Sequence, residues 1–222
     1  MAMPDVMTFN QAACICETYL TAYLNIFLLG ELRNHQSILI HGGGGGVSTA
    51  AMHLCKHLVP DTKMIVTASS GKLDRVSQLG AHHVIDYQSQ SFADEIREIT
   101  GKSGVNIILD HIGGPYLDPN MRSLAVNGKL LQIGVTGGIK AELNLVVMMV
   151  KRQQIIGSVL RSRSADEKAS IIARFSEQVM PFFMSQSIVP LVSDVFPLSR
   201  AADAHRAMEA SQHFGKIVLE VV

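Results

Sequence analysis

The chain has 222 residues, too long for a mini-domain and short for a two-domain enzyme, so its length allows one large domain or one and a half ordinary ones. Hydrophobic residues make up 47%, with 18 Gly and 7 Pro, which excludes a wholly disordered or low-complexity chain. Nineteen basic residues cancel nineteen acidic ones, so no general field draws in nucleic acid or an anionic membrane, and three cysteines cannot build a disulfide framework. No uninterrupted apolar run reaches the roughly 18 residues that cross a bilayer. The longest candidate, Tyr19 to Leu29, reads as a buried helix. The first Lys or Arg is Arg33, which fits neither a basic secretory start nor an Arg-rich transit peptide, and the expected location is the cytoplasm.

In chain order, Gln11 to Leu29 is an apolar helical stretch, and Ser37 to His41 is a short β-rich run that ends at five glycines. Val47 to Leu58 has helical spacing, with Ala50, Ala51, Leu54 and Leu58 on one face. Met64 to Thr67 is a second strand, Lys72 to Leu79 a helix stopped by Gly80, and His83 to Ile85 a third strand. Phe92 to Thr100 is helical, Val105 to Leu109 is the most apolar strand, and a helix around Pro119 to Ala125 leads to a fifth strand, Lys129 to Ile133. Ile155 to Gly157 is a sixth. Strands of about five residues alternating with helices define βαβ units, a parallel sheet and the doubly wound pattern. After Arg163 the rhythm changes: one long amphipathic helix over Ala165 to Met184, a loop and strand over Pro190 to Pro197, a helix capped by Ser199 to about Ala210, and a terminal strand from Gly215 to Val222.

The strongest chemical signal is His41-Gly42-Gly43-Gly44-Gly45-Gly46-Val47-Ser48, set between a strand and a helix. In register, Gly43-x-Gly45-x-x-Ser48 is a G-x-G-x-x-G dinucleotide fingerprint with its last glycine replaced by serine. The first glycine makes the tight turn, the second lets backbone approach a pyrophosphate, and amides at the helix start meet the phosphates. A flexible linker is disfavoured because regular elements abut the run on both sides. A nucleoside-triphosphate loop needs a Lys after its second glycine, and none lies between Arg33 and Lys56. At the end of the second strand, where NAD-binding versions place an acid, the sequence reads Thr67-Ala68-Ser69-Ser70-Gly71-Lys72 and the first acid is Asp74. Hydroxyls and a cation suit a 2′-phosphate, so NADP is expected over NAD.

The chain resembles the quinone oxidoreductases of the medium-chain dehydrogenase/reductase superfamily. The resemblance is carried by Gln11-Ala12-Ala13 with Leu20-Thr21-Ala22-Tyr23, the glycine loop, Val105 to Gly114, Leu160-Arg161-Ser162-Arg163 and Phe214 to Glu220. It implies a zinc-independent, NADPH-dependent reductase of quinones or enone-type acceptors, dimeric through the strand near Ile155 to Gly157. The fingerprint makes Gly43 a cofactor-binding residue at the turn; by the resemblance Gly44, Gly45, Gly46 and Val47 form the pyrophosphate loop, and Ser69, Lys72 and Tyr87 surround the 2′-phosphate. Ile112, Gly113 and Gly114 lie beneath the ribose. Ile133, Gly134, Val135, Val159, Leu160 and Arg161 lie near the nicotinamide, and Thr21 near its carboxamide. Ser48 and Cys16 depart from a usual glycine and a common proline.

The implied architecture is α/β: a doubly wound, parallel six-stranded Rossmann sheet over residues 1–186, plus a C-terminal remnant of a GroES-like catalytic domain over 187–222. In the family a barrel of about 100 or more residues precedes the nucleotide domain, and the terminal strand and Ser199 helix pack against it. Substrate then sits between the two domains, so this chain offers cofactor residues but no catalytic acid or base. No metal site is expected. His53 and His57 have helical metal-ligand spacing without a third ligand, and read as a surface helix.

Overall fold

The computed structural model describes residues 1–221; Val222, the last residue of the expected terminal strand, lies outside the described residues. The chain opens with one helix, Phe9–Leu29, started by a capping box in which Thr8 and Gln11 satisfy each other's backbone amides. Its α-helical turns, α1 (Phe9–Ala13) and α2 (Leu20–Tyr23), alternate with wider π-type turns over Ile15–Tyr19 and Leu24–Leu29. Taken whole, this helix is long and apolar enough to cross a membrane. It is instead a core helix, with Ile15, Tyr19, Leu20, Ala22, Tyr23, Leu24 and Ile26 buried.

Six strands follow: β1 (Ser37–Ile40), β2 (Lys63–Ala68), β3 (His83–Asp86), β4 (Val105–Asp110), β5 (Leu124–Gln132) and β6 (Gln154–Gly157). They pair in parallel in the order β3-β2-β1-β4-β5-β6, so the direction of winding reverses between β1 and β4. This is the six-stranded doubly wound sheet that the sequence pattern predicts. The reversal leaves a crevice beyond the carboxyl ends of β1 and β4, the usual ligand position in such sheets.

The period of two along each strand sorts the core into two layers. Ile38, Ile40, Met64, Val66, Ile107 and Leu109 face the first helix and α3 (Gly46–Leu58). Leu39, Ile65, Ile108 and Leu130 face the opposite layer, where α5 (Phe92–Ile99) and α6 (Leu117–Ser123) bring Phe92, Ile96 and Met121. Between these, α4 (Leu73–Gln78) carries buried Val76. The fifth strand starts at Leu124 rather than Lys129, passing Asn127 in the left-handed region at φ +61°.

A short helix, α7 (Leu145–Lys151), precedes β6; the sequence pattern does not predict it. The expected long helix over Ala165 to Met184 is two: α8 (Ala165–Gln178) and α9 (Met180–Met184), broken at Val179. Pro181 explains the break, since it cannot donate to the preceding turn. After them, β7 (Val192–Pro197), α10 (Ala201–Glu209) and β8 (Lys216–Glu220) form the tail. Ser199 does not cap α10, because Leu198–Arg200 winds as a tight 3-10 turn and Arg200 stands at the cap. The tail is not left unpaired: β7 and β8 pair with each other in parallel, and Gly215 forms an isolated bridge to Gly45.

Candidate functional site

The glycine loop turns from β1 into α3. Gly42 takes φ +66°, and a Cβ there would lie 2.5 Å from His111 Cε1. Gly43 sits on β2 and α4: a Cβ would meet Val66 at 2.6 Å and Val76 at 2.9 Å. Its amide donates to the Thr67 carbonyl. Gly45 is the N-cap, so the amides of the first turn of α3 have no partner within the helix, and no side chain caps them. Ser48, in place of the fingerprint's last glycine, is buried and donates its hydroxyl to the His41 carbonyl at 2.8 Å. The serine therefore costs little closeness, because it ties helix to strand.

The crevice beyond this loop is a cleft of about 700 Å³. Its floor is Gly42, Gly44 and Gly45; one wall is the end of β2 with Thr67, Ala68, Ser69, Gly71 and Lys72. Tyr87 and Gln88 follow β3, while His111, Ile112, Tyr116 and Thr136 come from the loops after β4 and β5. The tail closes the rim with Ala210, Ser211 and His213. No carboxylate is among these lining residues.

The charge around the cleft is positive. Lys72 lies across Gly44, so that a Cβ there would sit 2.5 Å from Lys72 Cδ. Lys216 lies in the same way across Gly46. Burial and then the nearby Arg75 hold the Lys72 ammonium below its usual range. Arg75 stacks its guanidinium over Phe214 at 4.0 Å. His213 is likewise pushed down, by burial first and then by Lys72, and its Nδ1 is buried without a partner. Cations that depress one another are relieved by an anion placed among them.

Of the expected site residues, Gly44, Gly45, Ser69, Lys72, Tyr87 and Ile112 line the cleft. Gly43 and Gly46 support it from behind, and Val47 packs on the core at the start of α3. Gly113 and Gly114 pack instead on the loop after β5: Gly113 bridges Gly138, and Gly114 donates to the Gly138 carbonyl at 2.8 Å. Ile133 donates to the Asp110 carbonyl, Gly134 lies against the backbone of His111, and Val135 is half exposed on the same loop. Val159 is exposed, Leu160 packs on the core, and Arg161 offers its carbonyl to Lys168, all outside this cleft. Thr21 is on the first helix, its carbonyl accepting from Asn25 Nδ2.

The expected pair of hydroxyls at the end of β2 is divided. Ser69 lines the cleft, whereas Ser70 turns away and donates to Asp86 Oδ2 at 2.6 Å. That bond, ahead of the Gln88 amide, holds the Asp86 carboxyl below its ordinary value. Gln88, His111, Tyr116, Thr136 and the tail residues were not legible as site residues. Ala210 to His213 lie more than 160 positions from the glycine loop, and no local pattern links the two.

His53 is not on a free surface. Its Nδ1 pairs with the Tyr19 hydroxyl at 2.8 Å, and His57 Nδ1 donates to the His53 carbonyl. Among the described residues no three His, Cys, Asp or Glu side chains converge to hold a metal. The residues present do not fit a zinc centre.

Comparison with known proteins matches this architecture. The fold and cleft define an oxidoreductase-type nucleotide domain of the medium-chain dehydrogenase/reductase superfamily. The model of the family described as "Zinc-binding dehydrogenase" matches residues 79–219, and the chain belongs to that family. The synaptic vesicle membrane protein VAT-1 homolog of Danio rerio is 32% identical over 98% of this chain and 47% of its own length. An NAD-dependent alcohol dehydrogenase structure superposes with a TM-score of 0.87 at 30% identity, over 100% of this chain and 62% of that one. A mycobacterial protein complexed with NADPH superposes with a TM-score of 0.85 at 26% identity, over 98% of this chain and 66% of that one. The chain thus spans about half the length of the VAT-1 homologue.

Proposed function

We propose that the chain binds NADPH in the cleft at the glycine loop and acts as an NADPH-dependent reductase of a quinone or enone-type small molecule. The observation that carries the reading is Lys72, laid over Gly44 in a cleft whose lining holds no acid. An acid at the end of β2 holds a ribose 2′-hydroxyl; a lysine there suits a 2′-phosphate. The similar mycobacterial protein solved with NADPH supports this choice, while the similar alcohol dehydrogenase is NAD-dependent, so the preference rests on Lys72 and Ser69.

On this reading the bare amides at the start of α3, with Gly44 and Gly45, hold the pyrophosphate. Ser69, Lys72 and Tyr87 hold the adenosine 2′-phosphate. Ile112, with Gly113 and Gly114 behind it, supports the ribose, and the nicotinamide end extends past the cleft lining toward Ile133, Gly134, Val135, Val159, Leu160, Arg161 and Thr21. The bound cofactor supplies a hydride from nicotinamide C4; the protein orients it and excludes water. The three free cysteines, two of them buried, suit the reducing cytoplasm proposed as its location.

A second reading is a nucleotide-binding module without useful catalysis, stabilised by a partner or by dimerisation. NADPH fluorescence titration followed by quinone-dependent oxidation separates the two. Saturable binding with turnover is expected. Binding without turnover supports the module, and failure to bind either nicotinamide dinucleotide overturns both.

A further inference from the structure

Four buried polar side chains, Thr67 on the cleft wall and three behind it, carry none of the roles above. His41 and Thr67 are each 1% exposed, Asp110 and Asn120 are 0%. They come from the ends of β1, β2 and β4 and from α6, and their hydrogen bonds run in one unbroken line.

The line has a fixed polarity. Asp110 accepts at Oδ1 from the Ile112 amide at 2.6 Å and at Oδ2 from Asn120 Nδ2 at 3.0 Å. The reverse orientation of the Asn120 amide would set oxygen against carboxylate, so Asn120 Oδ1 faces His41 Nε2, at 2.8 Å. His41 Nε2 must then carry the proton, and in the neutral ring Nδ1 accepts from the Thr67 hydroxyl at 3.0 Å. Thr67 Oγ1 in turn accepts from the Gly42 amide at 3.2 Å. The imidazole is boxed by Phe92 and Tyr116, each with its ring centre 4.8 Å away. Burial pushes its pKa down to about 4, so the ring stays neutral.

We propose that Thr67, His41, Asn120 and Asp110 form a positioning relay that locks two walls of the cleft together, the glycine loop at Gly42 and the β4 loop at Ile112 and Gly113. Each member satisfies its neighbour, so loss of one leaves buried groups unpaired and both loops free to shift. Although Thr67 stands on the same strand end as Ser69 and Lys72, its hydroxyl bonds His41 and Gly42, and the relay makes no hydrogen bond to either of those residues. Its contribution to nucleotide binding, which rests on the function proposed above, is therefore blind to the difference between NADPH and NADH.

The test uses the full chain with Asn120→Leu, Thr67→Val, Thr67→Ser and the double variant Asn120→Leu/Thr67→Val. In the ligand-free protein, nitrogen-detected NMR should show His41 as the Nε2–H tautomer, and Asn120→Leu should move the Gly42 amide resonance although the two residues do not touch. In titrations, Asn120→Leu and Thr67→Val should each weaken NADPH and NADH by the same factor, about tenfold. The double variant should be no worse than the worse single one, because one broken link disables the line, and Thr67→Ser should retain affinity. Additive losses, an Asn120→Leu variant that binds like the unmodified chain, or an unmoved Gly42 amide overturns the relay. Should Asn120→Leu fail to fold, the contrast between Thr67→Val and Thr67→Ser decides, and equal affinities there overturn it. An unmodified chain that binds neither nucleotide overturns the proposed function instead, while the ligand-free spectra still decide whether the loops are coupled.

Discussion

Among the histidines, the fold alters the titration of His41 and His53 most strongly. Burial holds each pKa down at about 4, with Asp110 partly opposing the shift at His41 and His57 and Lys56 adding to it at His53. An unfolded chain takes up these protons near pH 6.5. Both contributions are therefore fully present above about pH 6.5, fade as pH falls, and are gone near pH 4. Each is worth about 3 kcal/mol at most over that window. Denaturant unfolding at pH 7.5 and pH 5 should show a clear loss of stability at the lower pH; an unchanged midpoint would contradict the buried, neutral histidines. These two residues also mark the limit of reading a site from sequence. His53 and His57, spaced like metal ligands but without a third, read as a surface helix, but Tyr19, 34 positions away, covers His53. The glycine run, Ser69 and Lys72 were legible because a dinucleotide loop imposes local residue types at local spacing. Thr136 and His213 were not, because their only credential is where the fold brings them.

At the scale of elements, the six strands and the helices between β1 and β5 were legible because each βαβ unit repeats the same alternation of apolar run and break. The misreadings have specific causes. Pro181 splits a helix that amphipathic spacing alone continues. Helix α7 has Leu145, Val146, Met149 and Val150 exposed, so it lacks the polar face that periodicity looks for. Those side chains lie just before β6, whose outer edge carries Ile155 at 39% exposure and Gly157 with open space beside it. An unpaired edge beside an apolar helix is a surface that a second copy can cover, and we propose that β6 pairs with β6 of a partner. Light scattering should return twice the chain mass, and Val150→Glu should shift the protein to monomer. A strictly monomeric unmodified chain would contradict the edge pairing.

At the scale of the whole molecule, the neutral net charge conceals a local field. Lys72, Arg75 and Lys216 gather with His213 around the one glycine-rich loop, and β8 reaches it through the Gly215 amide on the Gly44 carbonyl at 2.9 Å. Gly215 has φ +98°, a backbone state that only glycine takes freely, and the Leu191 carbonyl stands where a Cβ would go. The tail that interrupts the βαβ rhythm thus completes the rim of the nucleotide cleft. Paired titrations of NADPH and NADH against the unmodified chain and Lys72→Ala test this account most directly. A lost contact between Lys72 and a 2′-phosphate should weaken NADPH by about tenfold or more and leave NADH nearly unchanged. Equal losses for the two nucleotides, or none for either, would contradict the assignment of the cleft to NADPH.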